Sequence, residues 1–327
     1  MVLHEAAGAL DWVMDKSLVL GYSKIGPALR RAWWPADPAA TALVGRHVLV
    51  TGASGGLGLA AARGFARLGA VVHLTGRDAG RLERARSALL QEQLLAQVRV
   101  RVADVSDLAA TAEFARGFAA EVPQLHAVVH NAGVMPPKRT TTAEGHELTL
   151  ATHVLGPHVL TCGLRDALAG GRVVVVTSGG AYGQRLQVDD PEYLTGDYSG
   201  VTAYARTKRM QLVLTKLWAR ALAPDGITVH SMHPGWADTP GVADSLPRFA
   251  ALTGPLLRDA DAGADTAVWL TATADPIDTG GFWHDRRRRS THYAPVGIET
   301  PDQVERFWRF VREQTGVPAA GETAPGA

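Results

Sequence analysis

A strand that runs straight into a cluster of glycines leaves a chain few architectures. His47-Val48-Leu49-Val50-Thr51 is such a segment, and Gly52-Ala53-Ser54-Gly55-Gly56-Leu57-Gly58 follows it directly. A helix of small residues, Leu59 to Leu68, comes next. The order reads as a buried strand, a tight turn and a helix start. Gly52 ends the strand in a turn that a Cβ would obstruct. Gly56 lets a ligand approach the backbone, and Gly58 lets the helix pack closely on the sheet. The free N–H groups and dipole at that helix start favour an anion such as a pyrophosphate. Gly52, Ser54, Gly55, Gly56, Leu57 and Gly58 thus form a candidate dinucleotide-binding turn.

From about 45 to 240 strands and helices alternate, the pattern of a parallel sheet with crossover helices. The expected strands are Ala70–Thr75, Val98–Val102, Leu125–His130, Arg172–Thr177 and Ile227–Ser231, besides the first. The expected helices run from about Ala79 to Gln93, Asp107 to Ala120, Ala143 to Leu168 and Ala203 to Ala223. The fold class is therefore α/β, a doubly wound parallel sheet of Rossmann-like type with N- and C-terminal extensions. Residues 1–44 are expected to be a helical extension packed on the main domain through Leu10, Val13, Met14, Leu18 and Leu20. Its Trp33-Trp34 pair beside Arg30-Arg31 leaves a membrane-surface or partner-docking arm as the second reading. The main domain spans 45–315, with an insertion at 184–200 and a C-terminal part at 241–315. Beyond 280, Arg286 to Arg289 reads as a solvated surface run, with phosphate binding as the second reading. Residues 316–327 read as a disordered tail.

Composition narrows the function classes. With 33 basic against 32 acidic residues the net charge is +1, which gives no electrostatic footprint for nucleic acid. Cys162 stands alone, so no internal disulfide framework exists and a reducing compartment fits. No apolar run reaches transmembrane length, and acidic residues interrupt the N-terminus where a signal peptide would be apolar. The simplest location is cytoplasmic.

Three features carry chemistry. The second strand ends at Thr75-Gly76-Arg77, with no carboxylate at the tip for a ribose 2′-hydroxyl. The guanidinium fork of Arg77 suits a 2′-phosphate, so NADP(H) is preferred over NAD(H). Tyr204 and Lys208 are four apart in a helix and share one face. An ammonium beside a phenol stabilises the phenolate and lowers its pKa, letting it exchange a proton with a substrate oxygen. Ser178, just past the fifth strand, can hydrogen-bond the same oxygen.

Taken in order, these motifs resemble the short-chain dehydrogenase/reductase family over about residues 45–240. The match comprises Thr51-Gly52-x-x-x-Gly56-x-Gly58, Asp104-Val105, Asn131-Ala132-Gly133, Ser178, Tyr204-x-x-x-Lys208, and Pro234-Gly235 with Thr239. Ser231 to Val242, and Asp285-Arg286 before Ser290-Thr291-His292, look most like the branch called dehydrogenase/reductase family member 12. The resemblance implies that Tyr204 is the acid/base and that Lys208 holds the nicotinamide ribose while depressing the tyrosine pKa. It implies that Ser178 orients the substrate oxygen and that Asp104 and Val105 sit by the adenine. It further implies that Asn131, Ala132 and Gly133 line the cofactor floor, with Pro234, Gly235, Trp236 and Thr239 at the nicotinamide carboxamide. The cofactor supplies the hydride and the protein supplies positioning and proton transfer.

Two departures stand out. His153 holds the place where the family has an Asn that completes a proton relay, and the ring reads equally as a relay or as helix packing. Ser178 and Tyr204 lie 26 residues apart, about twice the family spacing. The insertion, with Tyr193 and Tyr198, should lie beside the substrate mouth. Together with Trp236, Phe282 and Trp283 it hints at a fairly large apolar carbonyl or alcohol, or else at core packing. Five histidines fall between 126 and 158, but His153 and His158 point about 140° apart on a helix. With no His-Glu-x-x-His pattern, no metal site is expected. The reading is an NADP(H)-dependent oxidoreductase acting on a small molecule, with a homodimer as the family analogy. Its rival is a catalytically weak nucleotide-sensing or membrane-associated scaffold.

Overall fold

The computed structural model describes residues 2–92, 96–237, 254–293 and 297–317. Strands β1 (His47–Thr51), β2 (Val71–Gly76), β3 (Gln97–Val102), β4 (Ala127–His130), β5 (Arg172–Val176), β6 (Thr228–Met232), β7 (Gly281–His284) and β8 (Arg287–Arg289) form one sheet. Its order is β3-β2-β1-β4-β5-β6-β7-β8, parallel from β3 to β7, with β8 antiparallel at the edge. β-branched strands covered on both faces are what parallel pairing with helical crossovers requires. Alternate residues sort into two cores accordingly. Val48, Val50, Val174 and Val176 join helices α4 (Gly56–Arg67) and α10 (Ala260–Ala272) on one face. Leu49, Val173 and Val175 join α6 (Leu108–Glu121), α8 (Gly156–Gly163), α9 (Gly200–Ala221) and α11 (Pro301–Thr315) on the other. The remaining crossover, α5 (Ala79–Gln91), links β2 to β3.

The helix expected from Ala143 starts later. Glu147 caps it by accepting the N–H groups of Thr149 and Leu150 at 2.9 and 2.7 Å. A short α7 (Leu148–Leu150) then runs into a π turn, Ala151–Leu155, before α8. Pro157 explains the irregularity. It carries no N–H, so the carbonyl four residues back, that of His153, lacks its ordinary helical donor.

The N-terminal extension is helical, as α1 (Val2–Lys16), α2 (Leu18–Tyr22) and α3 (Ile25–Arg30), but it docks differently from the expectation. Leu10 and Val13 are 47% and 52% exposed, while Asp11 is 2% and Arg30 1% exposed. Met14 and Tyr22 complete the buried face. The contact is an ion network with the β7–β8 hairpin. Arg30 bonds Asp11 at 2.8 Å and Asp285 at 2.6 Å, and Arg258 reaches the other oxygen of Asp285 at 2.6 Å. Arg289 closes the network on Asp11 at 2.5 Å.

The arginine run is thereby corrected. Arg287 and Arg288 face solvent, but Arg286 and Arg289 are buried and ion-paired, Arg286 to Asp265 and Asp37. The two inward guanidiniums are those that find carboxylates in the fold, Asp265 and Asp37 for Arg286 and Asp11 for Arg289. Its turn residues, Asp285 and Arg286, both have positive φ (50° and 53°), costly for side-chain-bearing residues and sustained here by the ion pairs. The expected tail from 318 onwards lies outside the described residues.

Burial raises the Asp285 pKa, but the guanidiniums of Arg258 and Arg30 outweigh it and hold the carboxyl below its ordinary value. Its stabilising contribution is complete above the unfolded-state pKa of about 3.9 and lost as the pH falls through the lower folded-state value. Asp285→Ala should cost about 3–5 kcal/mol by stranding two buried guanidiniums. Urea unfolding at pH 7 checks this, and the deficit should shrink towards pH 3.

Candidate active site

The order of the sheet reverses between β1 and β4, and the turns after these two strands open the crevice where such sheets bind ligands. The turns touch through backbone. A Cβ on Gly52 (φ +65°) would lie 2.7 Å from Ala132 Cα, and one on Gly58 would lie 2.3 Å from the Gly52 carbonyl. Asn131 ties them further, its Nδ2 donating to the Thr51 and Gly52 carbonyls at 3.0 and 3.2 Å. Thr51 Oγ1 accepts the N–H groups of Asn131 and Ala132 at 3.0 and 3.1 Å. Gly55 stands at the N-cap of α4 with no side-chain cap, and Ser54, Gly55, Gly56 and Leu57 remain partly accessible. Uncapped helical N–H groups behind a glycine-rich turn fit a pyrophosphate.

Beyond β2, Arg77 is exposed, and Asp78 is spent on capping α5 by accepting the Arg81 N–H at 2.8 Å. Arg81, missed in the sequence, brings Nη2 to 3.8 Å from the Cβ direction of Gly55. Asp104 accepts the backbone and hydroxyl of Ser106 at 3.0 and 2.7 Å, while Val105 is buried against Gly156.

His153 joins this floor to α9. Its Nε2 accepts the Val134 N–H at 3.0 Å, so the ring proton sits on Nδ1 and is donated to Thr207 Oγ1 at 2.7 Å. Thr207 Oγ1 in turn donates a hydrogen bond to the Tyr204 carbonyl at 2.9 Å. Burial, and then the charge of Lys208, hold the His153 pKa well below its ordinary value. The ring is neutral with both nitrogens engaged.

Tyr204 stands edge-on to His153, with ring centroids 5.4 Å apart. Lys208 Nζ lies 5.2 Å from the phenol ring centre and donates to the Val176 carbonyl at 2.9 Å and Gln211 Oε1 at 3.1 Å. The expected depression of the phenol pKa by this ammonium is not what prevails. Burial raises the Tyr204 pKa, against an opposing hydrogen bond from Ser178. Burial also drives Lys208 down to about 7. Desolvation thus outweighs the pairwise attraction, because the ammonium is directed to carbonyl oxygens. Gln211 and Thr207 were also missed, although three-residue spacing places each on a face with Lys208 or Tyr204.

Pro234, Gly235 and Trp236 follow β6, where the Trp236 N–H donates to the Tyr22 carbonyl at 2.8 Å. Gly235 (φ +75°) is packed so tightly that a Cβ would meet Arg258 at 2.5 Å. Thr239 lies outside the described residues. The insertion folds over the segment before α7, with Glu192 accepting from the Glu147 N–H at 2.7 Å and lying 2.8 Å from His146 Nδ1. Tyr198 donates to Glu147 at 2.9 Å, and Tyr193 to the Asp197 carbonyl. Phe282 and Trp283 pack in the core. Among the described residues no cluster of three metal-ligating side chains occurs, and no helix is long and apolar enough to cross a membrane.

The profile of the short chain dehydrogenase family matches residues 46–248. Dehydrogenase/reductase SDR family member 12 of Bos taurus is 40% identical over 76% of this chain and 79% of its own. Retinol dehydrogenase 12 of Homo sapiens is 33% identical over 84% of this chain and 88% of its own. Among solved structures, a short chain dehydrogenase from Burkholderia cenocepacia J2315 in complex with NADP superposes with a TM-score of 0.60. It is 26% identical and covers 73% of this chain and 96% of that one.

The depressed Lys208 pKa has a measurable sign. Between about 7 and the unfolded value of about 10.4 the unfolded chain binds the extra proton, so stability rises with pH across that window. Lys208→Met should stabilise the cofactor-free protein by a few kcal/mol at pH 6, on the order of 1.4 kcal/mol for each pH unit separating the folded and unfolded midpoints. The gain should fade by pH 10, as read from urea midpoints.

Proposed function

The chain belongs to the short-chain dehydrogenase/reductase family, in the branch of its member 12, and from that premise we propose an NADP(H)-dependent carbonyl reductase with Tyr204 as proton donor. Interconversion of alcohol and carbonyl groups on a small molecule is the chemistry of its relatives. The observation that carries the finer reading is the Tyr204 phenol, bonded to Ser178, backed by Lys208 and connected through His153 to the cofactor-side turns.

The nicotinamide dinucleotide would be held by Gly52, Ser54, Gly55, Gly56, Leu57 and Gly58 at its diphosphate. Asp104 and Val105 would lie at its adenine, Asn131 to Gly133 beneath it, and Pro234, Gly235, Trp236 and Thr239 at its carboxamide. When bound it supplies the hydride. Ser178 holds the substrate oxygen, and Tyr204 delivers the proton to that oxygen as the carbonyl is reduced. A phenol kept protonated by burial suits this direction. His153 acts by positioning, since neither ring nitrogen is free to accept a proton. Arg77 and Arg81 together supply two guanidiniums for a 2′-phosphate, while Asp78 is occupied by its cap, which supports NADP(H) over NAD(H). The NADP complex of the related structure points the same way. A relative named for retinol, a large apolar alcohol, supports an apolar substrate, although Phe282 and Trp283 no longer contribute to that case.

Turnover of NADPH against a panel of aldehydes and ketones tests the reading. Tyr204→Phe should lose about 10²–10⁴-fold in kcat while binding NADPH as the wild type does. Undiminished turnover in that variant would remove the assignment. Replacing Arg77 and Arg81 together by Ala should cut the NADPH-over-NADH preference in kcat/KM by about 10–100-fold, the worth of one or two charge-assisted hydrogen bonds.

A further inference from the structure

Gln211 lies one helical turn beyond Lys208 on α9 and is 2% exposed. Both ends of its amide are used. Oε1 accepts from Lys208 Nζ at 3.1 Å, and Nε2 donates to the main-chain carbonyl of His153 at 2.9 Å. That carbonyl is the one orphaned by Pro157, so the amide answers a need created in another helix. We propose that Gln211 is a positioning residue of the site, bridging the Lys208 ammonium and the His153 carbonyl so that the ammonium stays charged and fixed beside Tyr204. The proposal rests on the reading of Tyr204 and Lys208 as the proton-handling pair.

The side-chain chemistry is selective. An amide accepts and donates at once, an ionised Glu only accepts, and a Met at this length offers no comparable hydrogen bond. Among the described residues the ammonium has one other protein acceptor, the Val176 carbonyl of β5 at 2.9 Å, leaving one N–H for the site. The titratable groups facing Lys208 are Tyr204 on its own helix and His153 on the π turn. No charge from α7, α11, β6, β7 or the turn Gly179–Gly183, all packed on α9, acts on it, and burial alone displaces its pKa. With the midpoint near neutrality, losing one of two acceptors empties the charged state at working pH.

The test reads Lys208 directly. In the full chain, 13Cε-lysine spectra contain four other lysines, Lys16, Lys24, Lys138 and Lys216, and Lys208→Arg identifies the fifth signal. Gln211→Met should lower the Lys208 midpoint by about one pH unit, and Gln211→Glu should raise it. In alcohol oxidation, the acid limb of kcat/KM should move to higher pH in Gln211→Met, because the phenolate loses its counter-charge. An unmoved Lys208 midpoint overturns the proposal, as do shifts of the same sign in both variants. If Gln211→Met does not fold, Gln211→Glu decides alone: a raised midpoint supports the bridge, and an unchanged or lowered one overturns it. Failure of the underlying reading looks different, since Tyr204→Phe would then keep its activity whatever the Lys208 midpoint does.

Discussion

Backbone meets backbone where β1 and β4 end, and the seat of His153, against which Tyr204 stands, descends from that contact. Gly52 and Gly58 carry no Cβ where the Asn131–Ala132 turn and the Gly52 carbonyl press in. The Asn131 amide then fastens the first turn to the second. Because the second turn continues into Val134, whose N–H holds His153, the same contact fixes the ring against which Tyr204 stands. A side chain at Gly58 would therefore move more than the glycine turn. It would displace, through Asn131 and His153, the seat of the phenol.

Position 153 meets its surroundings through two different groups. The ring secures Val134 and Thr207 and stays neutral, while the carbonyl, released by Pro157, meets Gln211. A proton relay through the ring would require it to surrender one of two hydrogen bonds in a desolvated pocket, a cost of about 1–3 kcal/mol at each step. The hydrogen bond from Gln211 to the main-chain carbonyl demands nothing of the side chain at 153.

Legibility followed locality. The valine-rich strands, the glycine turn and the Tyr204–Lys208 spacing are short-range patterns, and the structure places them as the pattern implies. What the pattern does not contain is the partner across the fold. Arg289 looked solvated because its carboxylate, Asp11, is 278 residues away. The phenol looked acidified because spacing reports a neighbouring ammonium but not the burial of both groups, and burial decides the sign. Gln211 was within reach of sequence reasoning, since Pro157 announces an orphaned carbonyl at 153 and three-residue spacing puts an amide beside Lys208.

The extension shows why its apolar residues misled. A hydrophobic stripe docks on a hydrophobic surface, but the edge it meets is a hairpin whose turn buries Asp285 between two guanidiniums. Such a surface can be covered only by groups that satisfy its charges, so Asp11 and Arg30 turn inward and Leu10 and Val13 outward. The same segment reaches the rim of the site, where the Tyr22 carbonyl accepts both the Trp236 N–H and Arg258 Nε. The Tyr22 ring lies where a Cβ on Gly179, next to Ser178, would come within 2.8 Å. Arg258 thus has two tasks, neutralising Asp285 and holding the Pro234-Gly235-Trp236 turn through Tyr22. The ion network that anchors the extension and the geometry of the Pro234-Gly235-Trp236 turn therefore cannot be altered independently.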